Sequence, residues 1–179
     1  RAGRFVDSGD LYKGSVQVFL TIMRYEYLWF NIRVQGGAYG CMCTGSANGI
    51  SAFITYRDPH IKRSYDVFEG IPDFLESFDA DETEMTKYVL GTMSGKDAPM
   101  TPYIKGVKAL NEYICKSTKE LRQRERDEII NCTAEDIRAL APYIRKALSA
   151  GNVCVIGNGT KVDEDKELFK EVRNLFEQV

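Results

Sequence analysis

Arg33-Val34-Gln35-Gly36-Gly37-Ala38-Tyr39-Gly40 is the segment with the most chemical content in this sequence. Arg33 is a charge at the end of an otherwise apolar run. Burying a guanidinium without a partner costs roughly several kcal/mol, so Arg33 is expected to reach a carboxylate, backbone carbonyls or a ligand. Gly36 and Gly37 allow a tight reversal with no side chains in the way, because glycine tolerates positive φ. Tyr39 follows just beyond. A guanidinium and a phenol together supply hydrogen-bond donors that can grip a carbonyl or carboxylate oxygen. The plainer alternative stays open: Arg33 satisfies the carbonyls of its own helix end, and Tyr39 is core.

Other chemistries are weaker. A two-histidine zinc helix is excluded, because His60 is the one histidine in the sequence. No C-x-x-C pair is present. Cys41 and Cys43 share one strand face, while Cys115, Cys132 and Cys154 are scattered, and together they read as free thiols of a reducing compartment. No metal is therefore assigned to this chain. Gly157-Asn158-Gly159 lacks the third glycine of a dinucleotide loop and reads as a turn before a capped helix. His60 reads as a surface residue in a first helical turn. The mixed charges of 116–128 read as a solvated helix face. Asp163, Glu164 and Asp165 read as complements to the start of a last helix.

The wider composition sets the class. The chain has 179 residues with 24 basic and 26 acidic side chains, a formal charge of −2, which argues against a nucleic-acid partner. No apolar run approaches the ~18 residues of a membrane span, so no membrane partner is expected. At 44% hydrophobic, the composition is that of a globular protein with a core, read as a single domain over 1–179. The sequence opens without Met at Arg1, which suggests a cut from something longer with a truncated first strand.

The elements that must position Arg33 and Tyr39 follow from spacing. Residues 1–6 read as the end of a strand, and Gly9 and Gly14 as punctuation. Ser15 reads as the N-cap of a helix to about Val34, with Val16, Leu20, Met23, Tyr27, Phe30 and Val34 on one stripe. That helix is apolar nearly all round and so is expected to be central. Gly36-Gly37 ends it. Residues 38–44 and 50–56 read as a hairpin around Asn48-Gly49. Asp58-Pro59 opens a helix to about Phe78, broken at Gly70-Ile71-Pro72. Asp81 with Glu84 forms a capping box for the next helix, and 94–101 is a loop. Thr101-Pro102 opens a further helix, and 116–130 another. Thr133 caps a helix kinked at Pro142 and stopped by Gly151. Residues 153–156 read as a short buried strand, and 163–176 as the last helix. Strands grouped apart from helices give an α+β class, an antiparallel sheet packed on one face by helices.

Tyr27-Leu28-Trp29 followed by Ile32-Arg33-Val34-Gln35-Gly36-Gly37-Ala38-Tyr39-Gly40 resembles the C-terminal domain of the pitrilysin/insulinase clan of zinc peptidases, in its presequence-protease (falcilysin-like) branch. Arg57-Asp58-Pro59 through Gly70-Ile71-Pro72, and Met85-Thr86-Lys87-Tyr88 with Gly91-Thr92, resemble the same branch. The resemblance implies the LuxS/processing-peptidase-like metallohydrolase fold. It implies a zinc endopeptidase whose halves close on an unfolded peptide, with the zinc held by another domain in the N-terminal half of the same polypeptide. By position, Arg33 and Tyr39 are the residues that face the zinc, bind the substrate backbone and assist catalysis, while Gly36 and Gly37 shape the turn. A non-catalytic peptide-binding or scaffold domain of the same fold is the alternative. A bacterial cytoplasmic location is expected, and a mitochondrial or plastid one would look similar.

Overall fold

The computed structural model describes residues 1–5 and 13–174; the readings at Val6, Gly9 and 175–176 lie outside them. Three strands form an antiparallel sheet in the order β1-β3-β2, with β1 at Ala2–Arg4, β2 at Gly40–Gly45 and β3 at Ile50–Tyr56. The β2–β3 hairpin closes where Asn48-Gly49 predicts. Gly49 has φ 82°, its N–H donates to the Ser46 carbonyl at 2.9 Å, and Asn48 Oδ1 accepts from the Ile50 N–H.

The register sorts the side chains between two faces. Cys43 pairs with Phe53, and both are fully buried. Met42 pairs with Ile54 and Gly40 with Tyr56, and the side chains of Met42, Ile54 and Tyr56 lie exposed on the other face. Gly3, Ser51 and Gly45 form one row across the three strands. A Cβ on Gly3 would meet the Ala147 carbonyl oxygen at 1.8 Å, and one on Gly45 would meet Val16 Cγ1 at 3.1 Å. This row of small residues is where helices α8 (Ala141–Ser149) and α1 (Gly14–Ile22) press against the sheet. The α+β class with helices on one sheet face is thus observed.

Helix α1 is central, packing on β2, α4 (Glu82–Lys96), α6 (Lys119–Ile130) and α7 (Ala134–Arg138). Val18, Phe19 and Ile22 are buried there with Ile129 and Ile137. The helix starts at Gly14 with Lys13 at its cap, and Ser15 is buried inside it. Its N-terminus is satisfied from α6, where Glu128 Oε2 accepts from the Gly14 N–H at 2.7 Å. The charges of α6 therefore do more than face solvent. Glu125 pairs with Lys96 at 2.5 Å, and Arg126 grips Asp97 with two nitrogens at 2.5 and 2.9 Å, tying α6 to α4.

The long helix continues beyond α1 in wide π-helical turns over Met23–Tyr27 and Trp29–Val34. Gln35 N–H reaches back to the Phe30 carbonyl at 2.9 Å, a five-residue step. Wider turns change which residues face inward. Met23, Leu28 and Ile32 are buried, five and four residues apart, while Phe30 and Val34 of the expected stripe are more than half exposed. The expectation of burial all round holds for α1 and fails for its extension.

Other boundaries differ from the reading of spacing. Asp58 does open the next helical region, but from outside it: Oδ1 accepts from the His60 N–H and Oδ2 from the Ser64 hydroxyl, and α2 (Ile61–Glu69) begins beyond Pro59. His60 is exposed at the cap position. A break at Gly70 leads to α3 (Ile71–Glu76). The Asp81–Glu84 capping box is present. Thr101 caps α5 (Pro102–Ile114). Pro142 does not kink one helix; it sits in the first turn of α8, separate from α7, because a proline lacks the N–H a helix interior needs. Gly151 (φ 67°) follows α8.

Residues 153–156 are not a buried strand. Asn152 makes one isolated bridge to Ala2, and Cys154 and Ile156 are exposed. Residues 163–174 do not form one helix either. Asn158 caps the short α9 (Gly159–Glu164), so the acidic residues lie at its end. Asp165 Oδ2 instead accepts from the Lys62 N–H at the start of α2, at 3.2 Å.

Two glycine substitutions separate packing from backbone entropy. Gly3→Ala drives a methyl into the α8 backbone and should cost about 1–3 kcal/mol in urea denaturation. Gly95→Ala, in open space inside α4, should raise stability by up to about 1 kcal/mol.

Candidate functional site

Arg33 and Tyr39 lie on the two arms of the Gly36-Gly37 reversal. Gly37 has φ 75°, in the left-handed region. Gly37 N–H donates to the Arg33 carbonyl at 3.0 Å, and Ala38 N–H to the Ile32 carbonyl at 3.1 Å. A Cβ on Gly36 would lie 2.4 Å from the Ile32 carbonyl oxygen. Both glycines are therefore required by the bend itself, one by space and one by conformation.

Arg33 is exposed and does not carry the burial cost its sequence setting suggests. Its guanidinium carbon lies 4.2 Å from the centroid of the Trp29 ring. This stack follows from the four-residue spacing on the outward side of the π-helical turns, where Trp29 is also exposed. The helix end is served by a different guanidinium, as Arg63 Nη1 donates to the Gln35 carbonyl at 3.0 Å. The alternative in which Arg33 caps its own helix is thus not the one realised at that carbonyl.

Tyr39 is 64% exposed, so it is not core. Its N–H donates to the Arg57 carbonyl at 3.3 Å. Its ring meets Tyr56 edge-on, with centroids 5.9 Å apart and planes at 81°. The Arg57 guanidinium carbon lies 5.7 Å from the Tyr39 ring and 5.4 Å from the Tyr56 ring. Arg57 itself has φ 49°, a left-handed conformation that costs a residue with a Cβ about 1–3 kcal/mol and tends to occur where geometry serves a site. A Cβ on Gly40 would meet nothing within 4 Å, so the approach to this cluster is open.

The result is two exposed clusters on the arms of the reversal, Arg33 stacked on Trp29 and Arg57 beside the Tyr39 and Tyr56 rings. Trp29, Tyr56 and Arg57 carry no site role in the sequence reading. The available signal was the hairpin register, which sets Tyr56 across from Gly40 and so beside Tyr39.

The thiols sit apart from this chemistry. Burial pushes the Cys43 thiol up to about 11 against the opposing pull of Arg24, and burial pushes Cys132 up to about 12. Cys41 is raised by burial, partly offset by the Arg33 charge. Among the described residues there is no group of three or more His, Cys, Asp or Glu side chains that could hold a metal ion. No helix among them is long and apolar enough to cross a membrane.

Thiol labelling tests this environment. Near neutral pH, the exposed Cys115 and Cys154 should react quickly, and Cys43 and Cys132 only after unfolding. A thiol whose pKa is raised on folding lends stability below its ordinary 9.0 and loses it as pH climbs to about 11 for Cys43 and about 12 for Cys132. The urea midpoint should therefore fall across that window in wild type and fall less in Cys132→Ala.

Residues 1–159 match the family profile described as the PreP C-terminal domain. Over 176 residues the chain is 38% identical to Protein HypA of Clostridium perfringens (strain 13 / Type A), covering 98% of this chain and 18% of that protein. It is 31% identical over 177 residues to Presequence protease 1, chloroplastic/mitochondrial, of Arabidopsis thaliana, covering 97% of this chain and 16% of that one. With the mitochondrial presequence protease of Xenopus laevis it shares 29% identity over 157 residues, covering 88% and 15% respectively. The chain thus spans less than a fifth of the length of these relatives. It belongs to the PreP C-terminal domain family, the C-terminal domain of presequence proteases within the pitrilysin-type metallopeptidases.

Proposed function

We propose that this chain is the substrate-binding C-terminal domain of a zinc-dependent endopeptidase that degrades unfolded peptides inside a closing chamber. Its partners are the peptide and the N-terminal, zinc-bearing half of the same polypeptide, and its location is the bacterial cytoplasm. The observation that carries the reading is the exposure of Arg33 and Tyr39 on the arms of one rigid reversal, each ring or guanidinium held by an aromatic contact.

On this reading the described residues of this chain supply no zinc ligands, and the metal held elsewhere supplies the activated water. Tyr39 donates its hydroxyl proton in a hydrogen bond to the scissile carbonyl oxygen, where negative charge develops. Arg33, steadied on Trp29, holds a backbone carbonyl or carboxylate of the peptide and keeps it in register. The T-shaped Tyr56 contact and the Arg57 guanidinium limit where the Tyr39 ring can go, which lowers the entropy lost on binding. The outward sheet face of Met42, Ile54 and Tyr56 offers apolar ground to an extended chain beside Tyr39. Donors of this kind act only when the halves close, so the site is gated.

Tyr39→Phe in the full-length polypeptide should lower kcat by about 100-fold or more with zinc content unchanged. Arg33→Ala should mainly raise KM. The 179-residue chain alone should bind no stoichiometric zinc and cleave no peptide. Trp29 is the sole tryptophan, so its emission should shift when peptide binds, and less so in Arg33→Ala. Wild-type kinetics in Tyr39→Phe would remove it from the mechanism. Peptide binding by a full-length polypeptide that never cleaves would favour a scaffold role.

A further inference from the structure

Helix α5 is specified as a helix but buries none of its side chains. Thr101 caps it and Pro102 occupies its first turn. The Arg122–Glu112 ion pair at 3.1 Å ties its C-terminal end to α6. Yet none of its residues is buried, whereas each other α-helix of eight residues or more among the described residues has at least one.

Its side chains are not randomly exposed. Tyr103, Val107, Leu110 and Ile114 follow a four-three-four spacing, the seam of a packed helix pair, and Ile104 widens it. Tyr103 is 80%, Leu110 57% and Ile114 65% exposed. Lys105, Lys108 and Glu112 share the opposite side. A helix of this length is marginal in water by itself and draws its stability from tertiary packing on its apolar side.

We propose that the apolar side of α5 docks onto an apolar surface of another part of the same, longer polypeptide. Three observations select this occupant. The family match runs over 1–159 and so includes α5, which makes the helix part of the domain rather than an addition to it. The chain covers 18%, 16% and 15% of three relatives, so most of such a polypeptide lies outside this domain. The size of the patch disfavours a second copy. A 13-residue helix is about 20 Å long and about 10 Å across, and its stripe falls well short of the ~800 Å² per partner that a stable complex buries. A partner tethered on the same chain needs far less area, because its effective concentration is in the millimolar range.

Hydrogen exchange on the 179-residue chain and on the full-length polypeptide that carries it tests this directly. Amides of 102–114 should exchange at least ~10-fold more slowly in the full-length polypeptide. Full-length Val107→Ser and Leu110→Ser should lose that protection while α4 and α6 keep theirs. The 179-residue chain should sediment as a monomer at micromolar concentration. Full-length Tyr39→Phe should keep α5 protected, which separates this inference from the proposed substrate role. Equal exchange in the two polypeptides would overturn it. So would a dimer of the 179-residue chain that Leu110→Ser dissociates, since that assigns the face to a second copy.

Discussion

At Gly36 the backbone has no room for a methyl group, and at Gly37 it takes a turn that an L side chain resists. The placement of Arg33 and Tyr39 depends on that pair. The reversal joins the longest helix to an edge strand through the five residues Gln35 to Tyr39. A looser connection would need more chain, and it would leave the guanidinium and the phenol on independently moving segments. With two hydrogen bonds closing it, the bend carries both groups as one unit. Their remaining freedom is taken up by Trp29 on one arm and by Tyr56 with Arg57 on the other.

The π-helical turns serve the same end from the other side. They satisfy the core with Met23, Leu28 and Ile32 and leave Trp29 and Arg33 stacked outward. Such turns are rare and recur at functional sites. Tyr27 anchors the stretch, with its hydroxyl donating to the Val67 carbonyl at 2.8 Å and its ring on Phe74. Helices α2 and α3 thereby brace the segment that aims Arg33.

What the sequence made legible was whatever local chemistry decides. The Asn48-Gly49 hairpin, the Asp81–Glu84 capping box, the Thr101 and Thr133 caps and the diglycine stop each rest on a few neighbouring residues. The register of the long helix was not legible, because a 3.6-residue period cannot anticipate a switch to wider turns. Residues 153–156 show the limit of short apolar runs. Val153 to Ile156 have strand-like composition, but one bridge at Asn152 is all the pairing they receive. In the site, Arg33 and Tyr39 could be singled out by type and by resemblance. Their aromatic supports could not, since these depend on the helix register and on strand pairing. Two apolar surfaces, the outer sheet face and α5, equally escaped notice, because a sequence shows which residues are apolar and not which ones the fold leaves uncovered.

These surfaces fit a domain that works as one wall of a larger assembly. One side of its sheet is closed by α1 and α8 through the Gly3–Ser51–Gly45 row, and the other is open. On the proposed function, the diglycine bend aims Arg33 and Tyr39 at a peptide held partly by the rest of the polypeptide. A structure of the full-length polypeptide with an uncleaved peptide tests it most directly. The Tyr39 hydroxyl should lie within hydrogen-bonding distance of the scissile carbonyl oxygen, with the Arg33 guanidinium on a neighbouring carbonyl or carboxylate. A bound peptide that passes on the far side of the domain, touching neither group, would contradict it.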